Sequence, residues 1–515
     1  MKRLTAALLT VILFTAFSAT MSFAENTNIS NVALGTVVQM RHNIDRHTSK
    51  IQTENEKLLK MTAEDIAAAD FADYDTSDIT LGTDLCDVSG QGKMGKNTED
   101  VIDGSENKIN ILGAGRYNVH SLKAMYGYPE VFADSTILRA ADGKRAELRQ
   151  AYPEEVPSYQ VIKNKKNIYV ENIDFYDFPM IKFEYCDNII FNNCSFNNFT
   201  DNGIVFRGCN NISVVNCIFV NNGNEITDCT NSGYSVRVVG DKECPSENIL
   251  IENCTINNSC GKAISFVGSV DNYVIRNNSI NNSVWGAIDY WTPNVSGKYV
   301  NVIENNICAN IGFGKPSEYD LTAPVSGVGC AAIFAGMGTT MPKTVVKNNT
   351  VKNAVETGIE GPYELVYHNT IKNTGENSAV RYTGSTEAVF IKPAVDFEQK
   401  YIGNYIETRG LRCFSSYADS SEEYKGIYIL NNELKLKNAD STITCNYSRS
   451  DIEINCPKLK KLVIRDNKGM MSDKTSVNIY IRDKDYVMDY FDLENPCMIG
   501  AMPENARYCF NISNK

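Results

Sequence analysis

The sequence predicts an all-β solenoid of about a dozen stacked coils, capped at both ends. Three features predict it: a recurring Asn-rich bend, two apolar columns flanking that bend, and a third segment bounded by glycine. The first two recur in "NIIFNNCSFNNF" from Asn188, "NISVVNCIFVNN" from Asn211, "NILIENCTINNS" from Asn248 and "NYVIRNNSINNS" from Asn272. Counting the residue after the central Asn as position zero gives the file Ile173, Cys194, Cys217, Cys254, Asn278, Asn306, Asn349, Asn369, Asn404, Asn432 and Asn467. Three places earlier every coil is apolar or aromatic, from Val170 and Phe191 to Ile464. Two places later Phe175, Phe196, Phe219, Ile256 and their successors run to Leu434, and only Gly469 breaks the column. Each unit therefore reads as an in-out-in strand, a bend and a second in-out-in strand. A repeat of 20 to 43 residues without helical periodicity is a solenoid pattern.

Along the chain, residues 1–24 begin with Lys2 and Arg3, continue through an apolar run over 4–17 and end in Ser22-Phe23-Ala24. That is the pattern of a secretory leader, too short to span a bilayer. It predicts an exported, extracellular protein without a membrane span. With Lys2 and Arg3 removed, 48 basic residues face 62 acidic ones, a net charge of −14. Such a balance argues against nucleic acid and anionic membranes as partners.

Residues 25–100 carry a helical stretch from Thr53, "TENEKLLKMTAEDIAAADF", and are expected to cap the open N-terminal end of the solenoid. The coils are assigned to 101–482 and a C-terminal cap to 483–515. No Pro- or Ser-rich linker divides the chain, so one domain with end caps is expected; a monomer is expected as well.

Asn also stands one place before position zero, from Asn172 to Asn348, and four places after it, from Asn198 to Asn373. Asn tolerates a left-handed backbone at a sharp bend, and its amide both donates and accepts. Stacked Asn side chains can thus link one coil to the next. All 16 cysteines lie beyond the leader, where disulfides are the ordinary expectation. Yet Cys194, Cys217 and Cys254 share one repeat position and Cys186 and Cys209 another, which suggests buried thiols stacked between coils.

Asn-rich bends, apolar columns and a third strand of the form "GIVFRG" from Gly203, "GKAISFVG" from Gly261 and "GAIDYW" from Gly286 resemble the right-handed parallel β-helix proteins, the pectate-lyase-like superfamily. The resemblance spans roughly 109–481. It implies a groove along one sheet that binds polysaccharide. The G-H-G and Asp-Asp pattern of polygalacturonases and the W-x-D-H and R-x-P-x-x-R signatures of many pectate lyases are missing.

Reading the third strands by alternation gives an outward column of Val205, Arg237, Ser265, Asp289, Phe334, Glu360, Arg381, Arg412 and Thr444, with Trp291 facing the same way as Asp289. Insertions wall this column, notably "GFGKPSEYDLTAPVS" from Gly312. Asp289 and Glu360 fall two coils apart, roughly 9.6 Å at 4.8 Å per coil, close to the carboxylate spacing of an inverting glycosidase. Arg381 would hold Glu360 ionised or grip a uronate. Trp291, Arg237, Tyr319 and Arg412 would contact the sugar.

Asp289, Glu360 and Arg381 are thus the expected catalytic residues of a hydrolase or lyase. No resident cofactor is expected for a hydrolase. A lyase would need a Lys or Arg base beside carboxylates that neutralise a uronate, often through calcium, a part open to Asp289, Glu360 and Glu318 or Asp320. The alternative is a glycan-binding or adhesive solenoid, in which the same charges are ordinary surface residues. His368 falls in the Asn bend column and reads as structural. His42, His47 and His120 show no metal-site spacing.

Overall fold

In the computed structural model the chain winds as a three-sided coil. Residues 29–69, 96–98, 101–120, 122, 130–150, 160–223, 233–295, 297–312, 331–336, 341–374, 387–418, 422–436, 450–456, 458–469, 475–480, 490–493 and 496–497 are described. Three sheets of 14, 13 and 13 strands run the length of the coil, and each strand pairs with its equivalents one turn away. The first sheet holds the strand before the Asn bend, the second the strand after it, and the third the Gly-bounded strand.

Register follows the apolar columns. Phe191, Val214, Ile251 and Ile275 are successive partners in the first sheet. Phe196, Phe219, Ile256 and Ile280 are successive partners in the second. Both files point inward and are fully buried, with Phe196 stacked on Phe219 at 4.6 Å between ring centroids. A one-residue slip would turn every such side chain to solvent, so the pattern fixes the pairing.

The bends account for the recurring Asn. Asn172, Asn193, Asn216, Asn253, Asn277, Asn305 and Asn348 all have φ between 51° and 58°, and His368 continues their column at 50°. At position zero, Asn278, Asn306, Asn349, Asn369, Asn404, Asn432 and Asn467 form one buried ladder, each Nδ2 donating to the next Oδ1 at 2.9–3.0 Å. The Nδ2 groups of Asn278 and Asn306 also donate to the carbonyls of Ile251 and Ile275 in the preceding coils. Cys194, Cys217 and Cys254 fill the same slot upstream, and their thiols reach the equivalent carbonyls of Val170, Phe191 and Val214 at 3.4–3.7 Å. A thiol thus replaces one arm of the amide. Ten of the described cysteines are free, nine of them buried.

The N-terminal region departs from expectation. Helix α1 (Ile29–Lys60) starts 24 residues before the helical stretch read from the sequence, and α2 (Ala63–Ala68) follows, N-capped by Thr62. They do not lie across the open end of the coil. They run lengthwise along the outer face of the first sheet. Arg41 donates to Asn188 at 2.9 Å and to the Asn211 carbonyl, and Gln52 bonds Asn272 and the Val300 carbonyl. Lys400 holds the Met61 carbonyl at 2.8 Å, and Asn431 the Ala67 carbonyl at 2.9 Å.

The physical reason is an apolar stripe on the outside of that sheet: Ile190, Val215, Leu250, Val274, Val302 and Val345. Val37, Ile44, Ile51 and Ile66 cover it, each contributing about 1.5–3 kcal/mol of burial. Helix rise matches coil rise: 32 residues at about 1.5 Å span some 48 Å, or about ten turns of 4.8 Å. Lys96–Asn97, Tyr490–Leu493 and Pro496–Cys497 are strands of the three sheets, so the coil extends past the expected 101–482 at both ends.

Candidate functional site

Several third-sheet strands bend after their first residue. Ala263 and Ile264, Ala287 and Ile288, and Cys413 and Phe414 are adjacent pairs that all enter the core. Strict alternation therefore fails once in each of these strands. The first residue of the strand joins the outward file three places before the main outward position.

The main outward file runs Val205, Arg237, Ser265, Asp289, Phe334 and Glu360, as the sequence predicted. It then continues through Phe390, Ser415 and Glu453. The expected Arg381, Arg412 and Thr444 do not hold those places. Arg412 lies three residues before Ser415, in the bend-generated file, while Arg381 and Thr444 lie outside the described residues, as do Tyr319, Glu318 and Asp320.

Two lysine–carboxylate–aromatic groups meet at the centre of this face. The Lys262 ammonium is 3.0 Å from Asp289 Oδ1 and 4.6 Å from the centre of the Trp291 ring. The Lys392 ammonium is 2.8 Å from Glu360 Oε1, 4.3 Å from the Phe334 ring centre and 3.3 Å from the Ala335 carbonyl. The two rings adjoin at 5.1 Å with a 42° tilt, and Trp291 remains 44 % exposed. Among the described residues, Lys392 is the cation beside Glu360. Neither lysine is evident from the sequence pattern: Lys262 sits in the bend-generated file, and Lys392 follows its strand where a loop insertion is expected to begin.

Asp289 is only 4 % exposed. Burial pushes its carboxyl up to about 6, although Lys262 and the Trp291 side chain pull it back. Further along the face Arg412 bridges two carboxylates, Glu387 at 3.1 Å and Glu453 at 2.8 Å. Burial raises Glu387 to about 7 against the attraction of Arg412. Arg237, two coils before Asp289, lies against the Tyr234 ring at 4.7 Å.

A shared calcium does not suit Asp289 and Glu360. Calcium takes six to eight oxygen ligands, whereas each of these carboxylates faces a lysine and Phe334 stands between them in the file. Among the described residues no three His, Cys, Asp or Glu side chains gather as a metal-binding group.

Residues 160–280 match the family described as the right handed beta helix region. The coil is a right-handed parallel β-helix. Among solved structures, PfbA, a surface adhesin of Streptococcus pneumoniae, is similar over 80 % of this chain and 92 % of its own, with 12 % identity and a TM-score of 0.37. The catalytic unit of a GH87 alpha-1,3-glucanase from Streptomyces thermodiastaticus is similar over 71 % of this chain and 64 % of its own, with 11 % identity and a TM-score of 0.36. An alginate lyase from Paenibacillus is similar over 68 % of this β-helix chain and 92 % of its own, at 10 % identity and a TM-score of 0.27. No curated protein sequence matches this chain. No described helix is long and apolar enough to cross a membrane.

Proposed function

We propose that this chain is an exported glycoside hydrolase that binds a polysaccharide on the outward face of the third sheet. In this reading Asp289 is the proton donor and Glu360 the base. The observation that carries it is a carboxyl held near pKa 6 beside an exposed indole, with a second carboxylate two coils away. At ~4.8 Å per coil their backbones stand about 9.6 Å apart, near the upper end of the carboxyl spacing of inverting glycosidases. Asp289 gives its proton to the leaving glycosidic oxygen. Glu360, beside Lys392, takes a proton from water as the water oxygen bonds to the anomeric carbon. One water is consumed per bond cleaved, and the anomeric configuration inverts.

Trp291 supplies an apolar face for sugar C–H groups. The leader-like residues 1–24 account for export, and the expected working form is a monomer.

One feature favours capture without cleavage. Asp289 is covered, with Lys262 and Trp291 against it. The two readings separate in Asp289→Asn and Glu360→Gln, tested for glycan retention and for release of reducing ends. Hydrolysis predicts loss of release with retention kept in both variants, and wild-type release that declines above about pH 6. A wild type that retains glycan and never releases reducing ends leaves the capture reading.

A further inference from the structure

Resting on the third sheet as the glycan-binding face, we infer that its ligand is an uncharged polysaccharide and not a polyuronate or sulfated chain. The cations at its centre and beyond, Lys262, Lys392 and Arg412, are already matched. Lys262 is held by Asp289, Lys392 by Glu360, and Arg412 by both Glu387 and Glu453, all at 3.1 Å or less.

These pairs are sheltered. Side-chain exposure is 6 % and 4 % for Lys262 and Asp289, and 17 % for both Lys392 and Glu360. For Arg412, Glu387 and Glu453 it is 7 %, 3 % and 13 %. A uronate carboxylate that sought one of these cations would displace a resident carboxylate and leave it unpaired in a partly buried site. Breaking such a pair is strongly unfavourable.

The wider field acts in the same direction. The chain carries a net charge of −12, which repels a polyanion at long range. The Arg412 cluster has two carboxylates for one guanidinium. An uncharged sugar meets none of these barriers. It needs an apolar surface for its C–H face, offered by exposed Trp291 beside Phe334, and acceptors for its hydroxyls, offered by the Glu360 carboxylate.

The test is affinity electrophoresis of the full chain through native gels containing one polymer each. The neutral set is α- and β-glucans, xylan and mannan; the acidic set is polygalacturonate and alginate, run at low and at high salt. Retardation by a neutral polymer that persists at high salt and falls about tenfold in Trp291→Ala is the expected result. Glu360→Gln, which releases Lys392, is expected to gain salt-sensitive retardation by polyuronate. Wild-type retardation by polyuronate that weakens in Lys262→Met or Lys392→Met overturns the inference and leaves the glycan-binding face standing. Retardation by no polymer overturns both.

Discussion

Glu387→Gln probes the charge-matched third sheet directly. Glu387 is buried, bonded to Arg412, and its carboxyl titrates near 7 instead of the usual 4.5. A carboxyl with a raised folded pKa holds its proton more tightly in the native state. Its contribution to stability is therefore fully present below the unfolded pKa and is lost as pH rises through the folded one.

With values of 4.5 and about 7, the loss attributable to this group is about 0.8 kcal/mol at pH 5 and about 3.3 kcal/mol at pH 8. Gln has the same shape and no titration. The stability difference between Glu387→Gln and wild type should therefore move by about 2.5 kcal/mol in favour of the variant between pH 5 and pH 8. Urea unfolding followed by tryptophan fluorescence measures this, because other titrating groups cancel between the two proteins. Parallel pH profiles would refute the reasoning. They would mean that Arg412 keeps Glu387 ionised throughout, and that burial does not govern the carboxyls of this face.

The remaining predictions concern the frame of the coil. Asn349→Ala removes four buried hydrogen bonds, to Ile303 O, Asn369 Oδ1 and the two Asn306 nitrogens. At about 1 kcal/mol each it should destabilise by ~4 kcal/mol, whereas exposed Lys352→Ala should stay within about 0.5 kcal/mol in the same urea titration. Cys194, Cys217 and Cys254 should resist alkylation in the native protein and label fully in denaturant, read by peptide mapping; native labelling or a disulfide among them would contradict their buried column. Ile51→Asp places a charge between α1 and the first sheet, so residues 29–69 should become protease-sensitive and dye-binding apolar surface should appear while the far-UV spectrum of the coil persists.

How much of this was legible in the sequence follows from what repeats. The Asn bends and the two apolar columns recur in every coil, so their roles could be read by comparing the chain with itself. The pairing of Phe191 with Val214, and of Asn278 with Asn306, follows from the alignment of the repeats. The face of the third sheet was legible only as far as Glu360. Beyond it the sequence around Arg381 carries the pattern of a third strand, but the ladder from Ile359 leads to Val389 and puts Phe390 beside Glu360. A local pattern competed with a long-range register, and only pairing between coils decides between them.

The same cause hid Lys262. Strand alternation assigns one outward residue in two, yet the bend after the first residue sends Ala263 and Ile264 inward together and returns Lys262 to the face it shares with Asp289. The first half of helix α1 is hidden in the sequence for a different reason. Its buried stripe includes Arg41 and Asn55, which an apolar periodicity search passes over, though both are buried when the helix lies on the sheet. The candidate site thus sits where the chain departs from its own repeat: a bend that breaks alternation, and coils whose outward file gathers paired charges and rings after Ser265. Departures of that kind recur at no fixed spacing. The side chains that distinguish this coil from a bare scaffold are therefore the ones that a comparison of the chain with itself is least able to find.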